Sequence, residues 1–393
     1  MTTEQILNAV QNIMPDLINI RRTLHQHPEL SSQEFQTSVF IQQKLIGLDI
    51  AVTAPIFNTG VMGLLCGNGE GKTLAIRADM DALPITEAND VPYRSQNDGV
   101  MHACGHDVHM TVALGAAMVL SQMKEHFNGN VKLLFQPAEE GEGGALPMIE
   151  AGVLQNPTVD ACIGAHVWAG IPVGKVGLAL GATMASPDEF DLTIYGKGGH
   201  GAMPHLCIDP IVIGAKVVDA LQTVVSRRVD PLKPAVVTVA SFHAGTAHNI
   251  IPETAQLKGT VRTLDPVLRL EVKQIIEQTI EGIVRGMGGT YDFKYAFRYP
   301  PLINDANITH QMSQSVTKIL GNDALLWQDK PSMAGEDFAY FAQKVPSTFF
   351  NLGCTPLNCE KPHPLHHPSF DVDEQCIKTG VAVMVQFALD FLK

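Results

Sequence analysis

Apolar positions recur with two different periods along the first half of the chain. Residues 6–24 and 33–46 repeat apolar side chains at helical spacing. Short apolar runs bounded by glycine, proline or charge, a pattern typical of largely buried strands, occur at 61–65, 73–77, 131–135 and 161–165. Asp107 is predicted to cap a further apolar helix that ends near Leu120. Alternation of this kind predicts an α/β domain, a mixed sheet with helices on both faces.

From about residue 184 the pattern changes to shorter elements of a different order. The predicted succession is strand, helix, strand, strand, helix and strand, at 190–195, 208–227, 235–242, 254–263, 266–287 and 291–297. This β-α-β-β-α-β order predicts a ferredoxin-like α+β unit. Apolar α/β segments resume near residue 309 and close with a helix at 373–392. We therefore predict a catalytic domain made of 1–183 and 299–393, with 184–298 inserted as a second domain.

Composition and charge narrow the classes of partner. A chain of 393 residues with 45% hydrophobic and 17% charged residues is an ordinary globular protein with room for two domains. Its net charge of −13, with no basic run, disfavours nucleic acid and anionic lipid. No signal-like or membrane-spanning stretch stands out, and the seven scattered cysteines include no Cys-x-x-Cys pair. These features favour a reduced, cytoplasmic setting without membrane or nucleic-acid partners.

The densest chemistry lies in MHACGHDVHM (101–110), which holds three histidines and a cysteine. Each of these side chains is a potential metal ligand. Gly105 would let Cys104 and His106 turn toward one ion. The alternative is a set of core or helix-start histidines, and this segment alone leaves both interpretations open.

A pair of carboxylates follows the apolar run 131–135 in QPAEEGEGG (136–144). Glu139 and Glu140 would therefore lie at a strand end, where ligand sites of α/β sheets gather. One could bind a metal while its neighbour handles the proton of a water molecule. An acidic surface turn is the competing interpretation of this segment taken alone.

Two single histidines complete the candidate set. His166 ends the apolar run 161–165, and His366 lies in the proline-rich loop HPLHHPSF (363–370) before the last helix. A lone histidine at a strand end is more often a satisfied core residue than a ligand. Combined with the two segments above, however, they would give a thiolate, three imidazoles and a carboxylate. That set is large enough to hold two metal ions that polarise a carbonyl and activate water.

The ordered motifs resemble the two-metal aminoacylase and carboxypeptidase family of metallopeptidases, in particular its hippurate hydrolase and N-acyl-L-amino-acid amidohydrolase branch. The resemblance runs over nearly the whole chain. Its motifs are RRTLHQHPE (21–29), IRADMDALP (76–84), MHACGH (101–106), QPAEE (136–140), GGHGA (198–202), MAGEDF (333–338) and the His-x-Pro of 366–368.

The resemblance implies two divalent metal ions per subunit, Zn²⁺ or Mn²⁺, with Co²⁺ or Ni²⁺ as alternatives. The implied ligands are Cys104, His106, Glu140, His166 and His366. It also implies that Glu139 is the general base and that Asp81 orients a ligand. The wider family has a histidine where this chain has Asp79, and Cys104 is expected to replace that ligand.

For the inserted unit, the resemblance implies a lid that also forms a homodimer or higher oligomer. His200 is expected to steady the oxyanion, in its own subunit or in the partner. Asn249 and Arg262 are expected to bind the substrate's α-carboxylate, although Arg262 could instead form a surface ion pair.

The expected reaction is hydrolysis of a small N-acyl amino acid. A dipeptidase or carboxypeptidase activity is the alternative within the same chemistry. A cysteine hydrolase using Cys104 and a non-catalytic metal-binding protein are the remaining hypotheses.

Overall fold

The computed structural model describes residues 2–393 and divides the chain into two compact units. The first unit runs to Gly181 and resumes over Ile303–Lys330 and Tyr340–Lys393. The second unit comprises Ala182–Leu302 and Pro331–Ala339. As domain boundaries, the breaks at 183/184 and 298/299 stay a prediction.

Nine α-helices occur in the described residues. They are α1 (Thr3–Gln26), α2 (Phe35–Ile46), α3 (His106–Ser121), α4 (Ala145–Glu150), α5 (Pro210–Thr223), α6 (Pro266–Gly286), α7 (Ala306–Leu320), α8 (Ala339–Lys344) and α9 (Gln375–Phe391). Aspartate side chains accept hydrogen bonds from the first-turn amides of α5, α6 and α7, which fixes where these helices begin. Within the part of the chain described, no helix combines the length and the apolar character needed to cross a membrane.

The strands follow the same order as the apolar runs. They are β1 (Ala51–Ile56), β2 (Gly60–Cys66), β3 (Thr73–Asp79), β4 (Asn130–Gln136), β5 (Ala161–Pro172), β6 (Val176–Leu178), β7 (Gly181–Met184), β8 (Ser186–Tyr195), β9 (Gly199–His200), β10 (Ala235–Ala244), β11 (Ile250–Ile251), β12 (Thr254–Thr263), β13 (Thr290–Ala296), β14 (Leu302–Asn304), β15 (Leu325–Trp327) and β16 (Ser347–Thr355).

The first unit is built on an eight-stranded mixed sheet of order β1-β2-β4-β3-β5-β16-β6-β15. At its centre β4, β3, β5 and β16 are parallel. The pairs β1–β2, β2–β4 and β16–β6 are antiparallel, and the edge strand β15 pairs parallel with β6. Every residue of β3 is buried, as expected for a strand covered on both sides. The central strands pack with α1, α3 and α9 into one hydrophobic core.

The second unit contains a four-stranded antiparallel sheet of order β10-β12-β8-β13. Along β12 buried side chains such as Ala255, Leu257 and Val261 alternate with more exposed ones, so one face packs on helices α5 and α6. Chain order in this unit is β8-α5-β10-β12-α6-β13. The segment Pro331–Ala339 is hydrogen-bonded to this unit through Ala334, whose carbonyl accepts from the amide of Ala185.

The prediction that Asp107 caps α3 is wrong. Gly105, with φ of +81°, precedes the helix, and Asp107 lies within its first turn. The Asp107 carboxylate is turned into the protein, where its Oδ2 accepts hydrogen bonds from Arg21 and His25. Asp107 was predicted to cap the helix, but its carboxylate instead takes part in a buried ion pair.

Candidate metal centre

The candidate site lies at one edge of the large sheet, beside the residues of β3, β4 and β5 that are aligned in register. Register places Arg77 of β3 opposite Leu134 of β4 and Gly164 of β5, so Asp79, Gln136 and His166 are level with one another. Because the strands are parallel, the segments that follow them meet at the same edge. His166 does not end its strand as predicted, because β5 continues to Pro172 by pairing with β16.

Asp81, just beyond β3, holds the turn that carries Glu139 and Glu140. Its Oδ1 accepts from the Glu139 amide at 3.0 Å, and its Oδ2 accepts from the Glu140 amide at 2.9 Å. Ser31 Oγ donates to the same Oδ2 at 2.6 Å. Asp81 is buried, so these hydrogen bonds fix the backbone from which both glutamates project.

The residue before this pair adopts an unusual conformation that is held from the other side. Ala138 has a φ of +57°, in the left-handed region that disfavours a side chain with Cβ. Its amide donates to Oε1 of the buried Glu34 at 2.9 Å, while Glu34 Oε2 accepts from Thr59 Oγ1 at 2.6 Å. The turn is therefore clamped at three consecutive amides.

The predicted ligands come together around Cys104. Ligand atoms of Cys104, His106 and His166 lie within 4.8 Å of one another, and so do those of Cys104, Glu140 and His366. Individual contacts are 3.3 Å from Cys104 Sγ to His166 Nε2 and 3.0 Å from His366 Nε2 to Glu140 Oε1. The two groups share Cys104, so the five predicted ligands form one cluster.

His106 is wholly buried, yet neither ring nitrogen completes a hydrogen bond with the described residues. Its Nδ1 lies 3.4 Å from Asp81 Oδ1, and its Nε2 lies 4.0 Å from Glu140 Oε1. Burial alone would lower the pKa of His106, but the surrounding carboxylates, led by Asp79 and Asp81, outweigh it and raise that pKa to about 10. Unpartnered nitrogens in a negative, buried pocket fit a site for divalent cations.

The electrostatics of the other ligands agree with that fit. Burial, followed by the charges of Glu140 and Glu139, raises the pKa of the Cys104 thiol well above its usual value. A bound cation reverses this preference because it stabilises the thiolate. Burial lowers the pKa of His166, and its Nδ1 donates to the Val167 carbonyl at 2.6 Å. The lone pair of His166 Nε2 therefore points toward Cys104.

His366 reaches the cluster from a loop before α9. It has a φ of +64°, and its amide donates to the Ala103 carbonyl at 2.9 Å, which joins the loop to the Cys104 segment. The neighbouring Glu140 carboxylate raises the pKa of His366. Its side chain is 52% exposed, so this side of the cluster is open to solvent.

Three predicted residues lie in the second unit. His200 on β9 and Asn249 just before β11 meet in a two-stranded ribbon, where the Gly201 amide donates to the Asn249 carbonyl. His200 Nδ1 accepts from the Ala202 amide at 3.0 Å, so a neutral ring carries its proton on the exposed Nε2. Arg262 on β12 hydrogen-bonds to Thr260 and pairs with no carboxylate of the described residues. The alternative of a surface ion pair for Arg262 is therefore wrong.

The geometry has a counterpart among known proteins. A model of Peptidase family M20/M25/M40 matches residues 75–390, which include every predicted ligand. The chain belongs to this family. It is therefore a hydrolase, as the sequence predicted.

Relatives of this M20-family chain carry two kinds of name. It is 48% identical over 305 residues to an N-acyl-L-amino acid amidohydrolase of Geobacillus stearothermophilus, covering 77% of this chain and 82% of the relative. It is 39% identical over 392 residues to thermostable carboxypeptidase 2 of Saccharolobus solfataricus, covering 99% and 98%.

A solved structure matches this M20-family chain along its length. The Bacillus subtilis YXEP protein, described as a dinuclear metal binding peptidase of the M20 family, has a TM-score of 0.86 at 36% identity, covering 97% of this chain and 99% of that one. The sequence resemblance to this metallopeptidase family is confirmed.

Sequence reasoning missed the residues of this M20-family chain that support the ligands through hydrogen bonds. Ser31 and Glu34 lie within five residues of the end of the motif at 21–29. This proximity to the motif was the only sequence feature that could have indicated their role. From the sequence, His109 was considered only as a potential ligand, with no supporting role assigned to it. Its Nδ1 and Nε2 are both occupied, by Asp79 and by the Val167 amide.

Proposed function

We propose that this chain hydrolyses the amide bond of N-acyl amino acids and releases a carboxylic acid and a free amino acid. The observation that carries the proposal is the buried ligand cluster around Cys104, with Glu139 on a turn clamped beside it. The relative named N-acyl-L-amino acid amidohydrolase supports the choice of substrate.

We assign two divalent ions to the two groups that share Cys104. Cys104, His106 and His166 would hold one ion, and Cys104, Glu140 and His366 the other. Thiolate, imidazole and carboxylate together suit Zn²⁺, and Mn²⁺, Co²⁺ and Ni²⁺ are the alternatives. When bound, such ions supply Lewis acidity, which polarises the amide carbonyl and lowers the pKa of water from about 15.7 to near 7.

Glu139 is the group that moves the proton. Its carboxylate would accept a proton from the attacking water and pass it to the leaving nitrogen, which must be protonated before the C–N bond breaks. Asp81 keeps Glu139 in place, since the carboxylate of Asp81 accepts from the amides of both Glu139 and Glu140. His200 would donate from its Nε2 to the oxyanion of the tetrahedral intermediate.

The substrate's α-carboxylate needs a cation in a protein whose net charge is −13. Arg262 is half-buried and has no carboxylate partner among the residues described, so its guanidinium remains available for an anion. Asn249, on the same ribbon as His200, would add an amide donor. The second unit would then act as a lid and as the contact surface of a homodimer. Light scattering of the purified protein, which reports its molar mass, would test the dimer.

The decisive experiment replaces Glu139 by Gln, with the exposed neighbour Glu142→Gln as matched control. Metal content should stay at the wild-type level in both variants. Turnover of N-acetyl amino acids and hippurate should fall at least 100-fold in Glu139→Gln alone, the scale expected for loss of general acid–base catalysis. Full activity in Glu139→Gln would contradict the mechanism.

A carboxypeptidase or dipeptidase activity is the second candidate, favoured by the relative named carboxypeptidase. Release of amine from hippurate, N-acetyl amino acids, dipeptides and longer peptides, measured side by side, separates the two. A strong chelator should abolish all of these activities, whereas a cysteine hydrolase that uses Cys104 would retain them.

A further inference from the structure

A continuous chain of hydrogen bonds crosses the three strand ends behind the ligand cluster. Arg77 Nε donates to Gln136 Oε1 of β4 at 2.8 Å, and Arg77 Nη1 donates to Asp79 Oδ2 at 2.6 Å. Asp79 Oδ1 then lies 2.6 Å from His109 Nδ1 on α3. Arg77, Asp79, His109 and Gln136 are all buried, so each polar atom must find its partner inside the protein.

The last group in this series of hydrogen bonds is a backbone amide. The Val167 N–H donates to His109 Nε2 at 2.8 Å. A ring nitrogen that accepts a hydrogen bond carries no proton, so His109 is neutral and its single proton sits on Nδ1, facing Asp79. Both ring nitrogens of His109 are therefore occupied, and neither has a lone pair left for a metal ion.

Val167 connects this series of hydrogen bonds to the predicted ligand His166. The Val167 carbonyl accepts from His166 Nδ1 at 2.6 Å, and this bond leaves His166 Nε2 facing Cys104 Sγ at 3.3 Å. The orientation of the Val167 peptide units thus decides where the ligand nitrogen of His166 points. Outer hydrogen bonds of this kind fix the tautomer and the ring plane of a metal-binding histidine.

We propose that His109 and Asp79, braced by Arg77, are positioning residues that orient His166 for metal binding by holding the Val167 amide. The inference rests on the proposed metal site, but not on the choice of substrate. It assigns a role to two buried groups that the proposed reaction leaves unused.

The competing assignment makes the same residues ligands. Atoms of Asp79, His106 and His109 also lie within 4.8 Å of one another and could in principle hold an ion. Binding an ion there would break the bond from His109 to Asp79 or to Val167. It would leave a buried donor or acceptor unpaired, which is costly inside a protein.

Two substitutions at His109 separate its two hydrogen bonds. In His109→Gln the side-chain oxygen can reach the former Nε2 position and still accept from Val167. In His109→Asn the side-chain NH₂ can take the former Nδ1 position and donate to Asp79, but the Val167 amide loses its acceptor. The exposed His126→Gln is a matched control on a distant surface.

The main measurement is divalent metal affinity, obtained by competition with a chromophoric chelator, together with the number of ions bound. We expect His109→Asn to bind two ions with about 10- to 100-fold weaker affinity for at least one of them, the range typical of lost outer partners. His109→Gln should stay near wild type, as should His126→Gln. Equal affinity in all three variants would overturn the proposal, as would loss of one whole ion in both His109 variants.

A second measurement uses the metal-free wild-type protein and needs a variant only to assign one resonance. Nitrogen-15 spectra of the histidine rings report which nitrogen carries the proton, and the resonance of His109 is the one absent from His109→Gln. We expect the neutral Nδ1–H form. A charged ring or an Nε2–H form would overturn the proposal. If wild-type protein bound no divalent ion at all, the proposed function would fail, while this spectrum would still test the hydrogen bonds of His109.

Discussion

Replacing Arg21 by Met tests whether a buried ion network, hidden from sequence patterns, stabilises the first unit. The Arg21 side chain is 2% exposed. Its guanidinium donates to Asp107 at 2.8 Å and to Asp371 at 3.1 Å, and lies 3.4 Å from Glu374. Burial alone would lower the pKa of Arg21, but these carboxylates outweigh it and raise that pKa.

The magnitude follows from what the substitution leaves behind. Asp107 is 1% exposed and would keep only His25 as a charged partner within hydrogen-bond distance. Removing one member of a buried pair costs about 3–5 kcal/mol, because the other charge stays buried without compensation. Asp371 and Glu374 are 32% and 14% exposed, so water would recover part of their loss. Met keeps most of the aliphatic volume, so the loss of charge dominates.

Arg22→Met provides the matched control on the same helix. Arg22 is 44% exposed and pairs with Glu374 alone, at 2.7 Å. Because the Arg22 guanidinium stays in contact with water, the pair is screened and contributes about 0–1 kcal/mol. The two variants remove the same side chain from adjacent positions, so the difference between them isolates the effect of burial.

Urea unfolding of chelator-treated protein, followed by tryptophan fluorescence, is the assay. The two tryptophans, Trp168 and Trp327, both belong to the first unit, so the signal reports that unit. We expect the free energy of unfolding to fall by about 3–5 kcal/mol in Arg21→Met and by less than about 1 kcal/mol in Arg22→Met. Equal losses in the two variants would refute the reasoning.

Three further outcomes are expected. First, the carboxylates of Asp107 and Glu87 outweigh the effect of burial and raise the pKa of His25. Its charged form therefore stabilises fully below the unfolded value of about 6.5 and loses this effect as the pH rises through the folded value. The stability difference between wild type and His25→Gln should accordingly shrink as the pH rises above about 6.5, and a constant difference would contradict this. Second, a divalent ion at 100 times its dissociation constant should stabilise the first unit by about 2.7 kcal/mol, measured as a shift in urea midpoint, whereas a metal-independent midpoint would count against the site. Third, Ser31→Ala removes one donor to Asp81 and should cost about 0.5–1.5 kcal/mol with unchanged metal content; lost metal would show that Ser31 matters for more than the turn.

The sequence predicted elements best where a single local pattern decides them. Strand β12 spans Thr254–Thr263, the range that apolar alternation predicted, because its pairing on both sides leaves one uniform period. Strand β5 was predicted too short, since its outer half is stabilised by β16, almost two hundred residues later in the chain. Local patterns carry no information about such a partner.

The same distinction applies to the site. Residue types and spacing marked the candidate segments, the family resemblance selected Cys104, His106, Glu140, His166 and His366 within them, and the structure brings all five together. The supporting contacts could not be predicted, because each joins distant segments. Glu34 reaches the amide of Ala138 across 104 positions, and Ser31 reaches Asp81 across 50. These contacts depend on the path of the folded chain and leave no periodic signal.

The three histidines of segment 101–110 show why neither residue type nor spacing alone identifies a metal ligand. His109 has both nitrogens occupied by hydrogen bonds, which removes it from the set. His102 is buried with both nitrogens unpartnered among the described residues, yet it belongs to none of the ligand groups found there. Only His106 combines unpartnered nitrogens with a thiol, an imidazole and carboxylates within ligand distance. A ligand must satisfy both conditions, an available lone pair and neighbours able to share the ion, and only the folded structure tests them together.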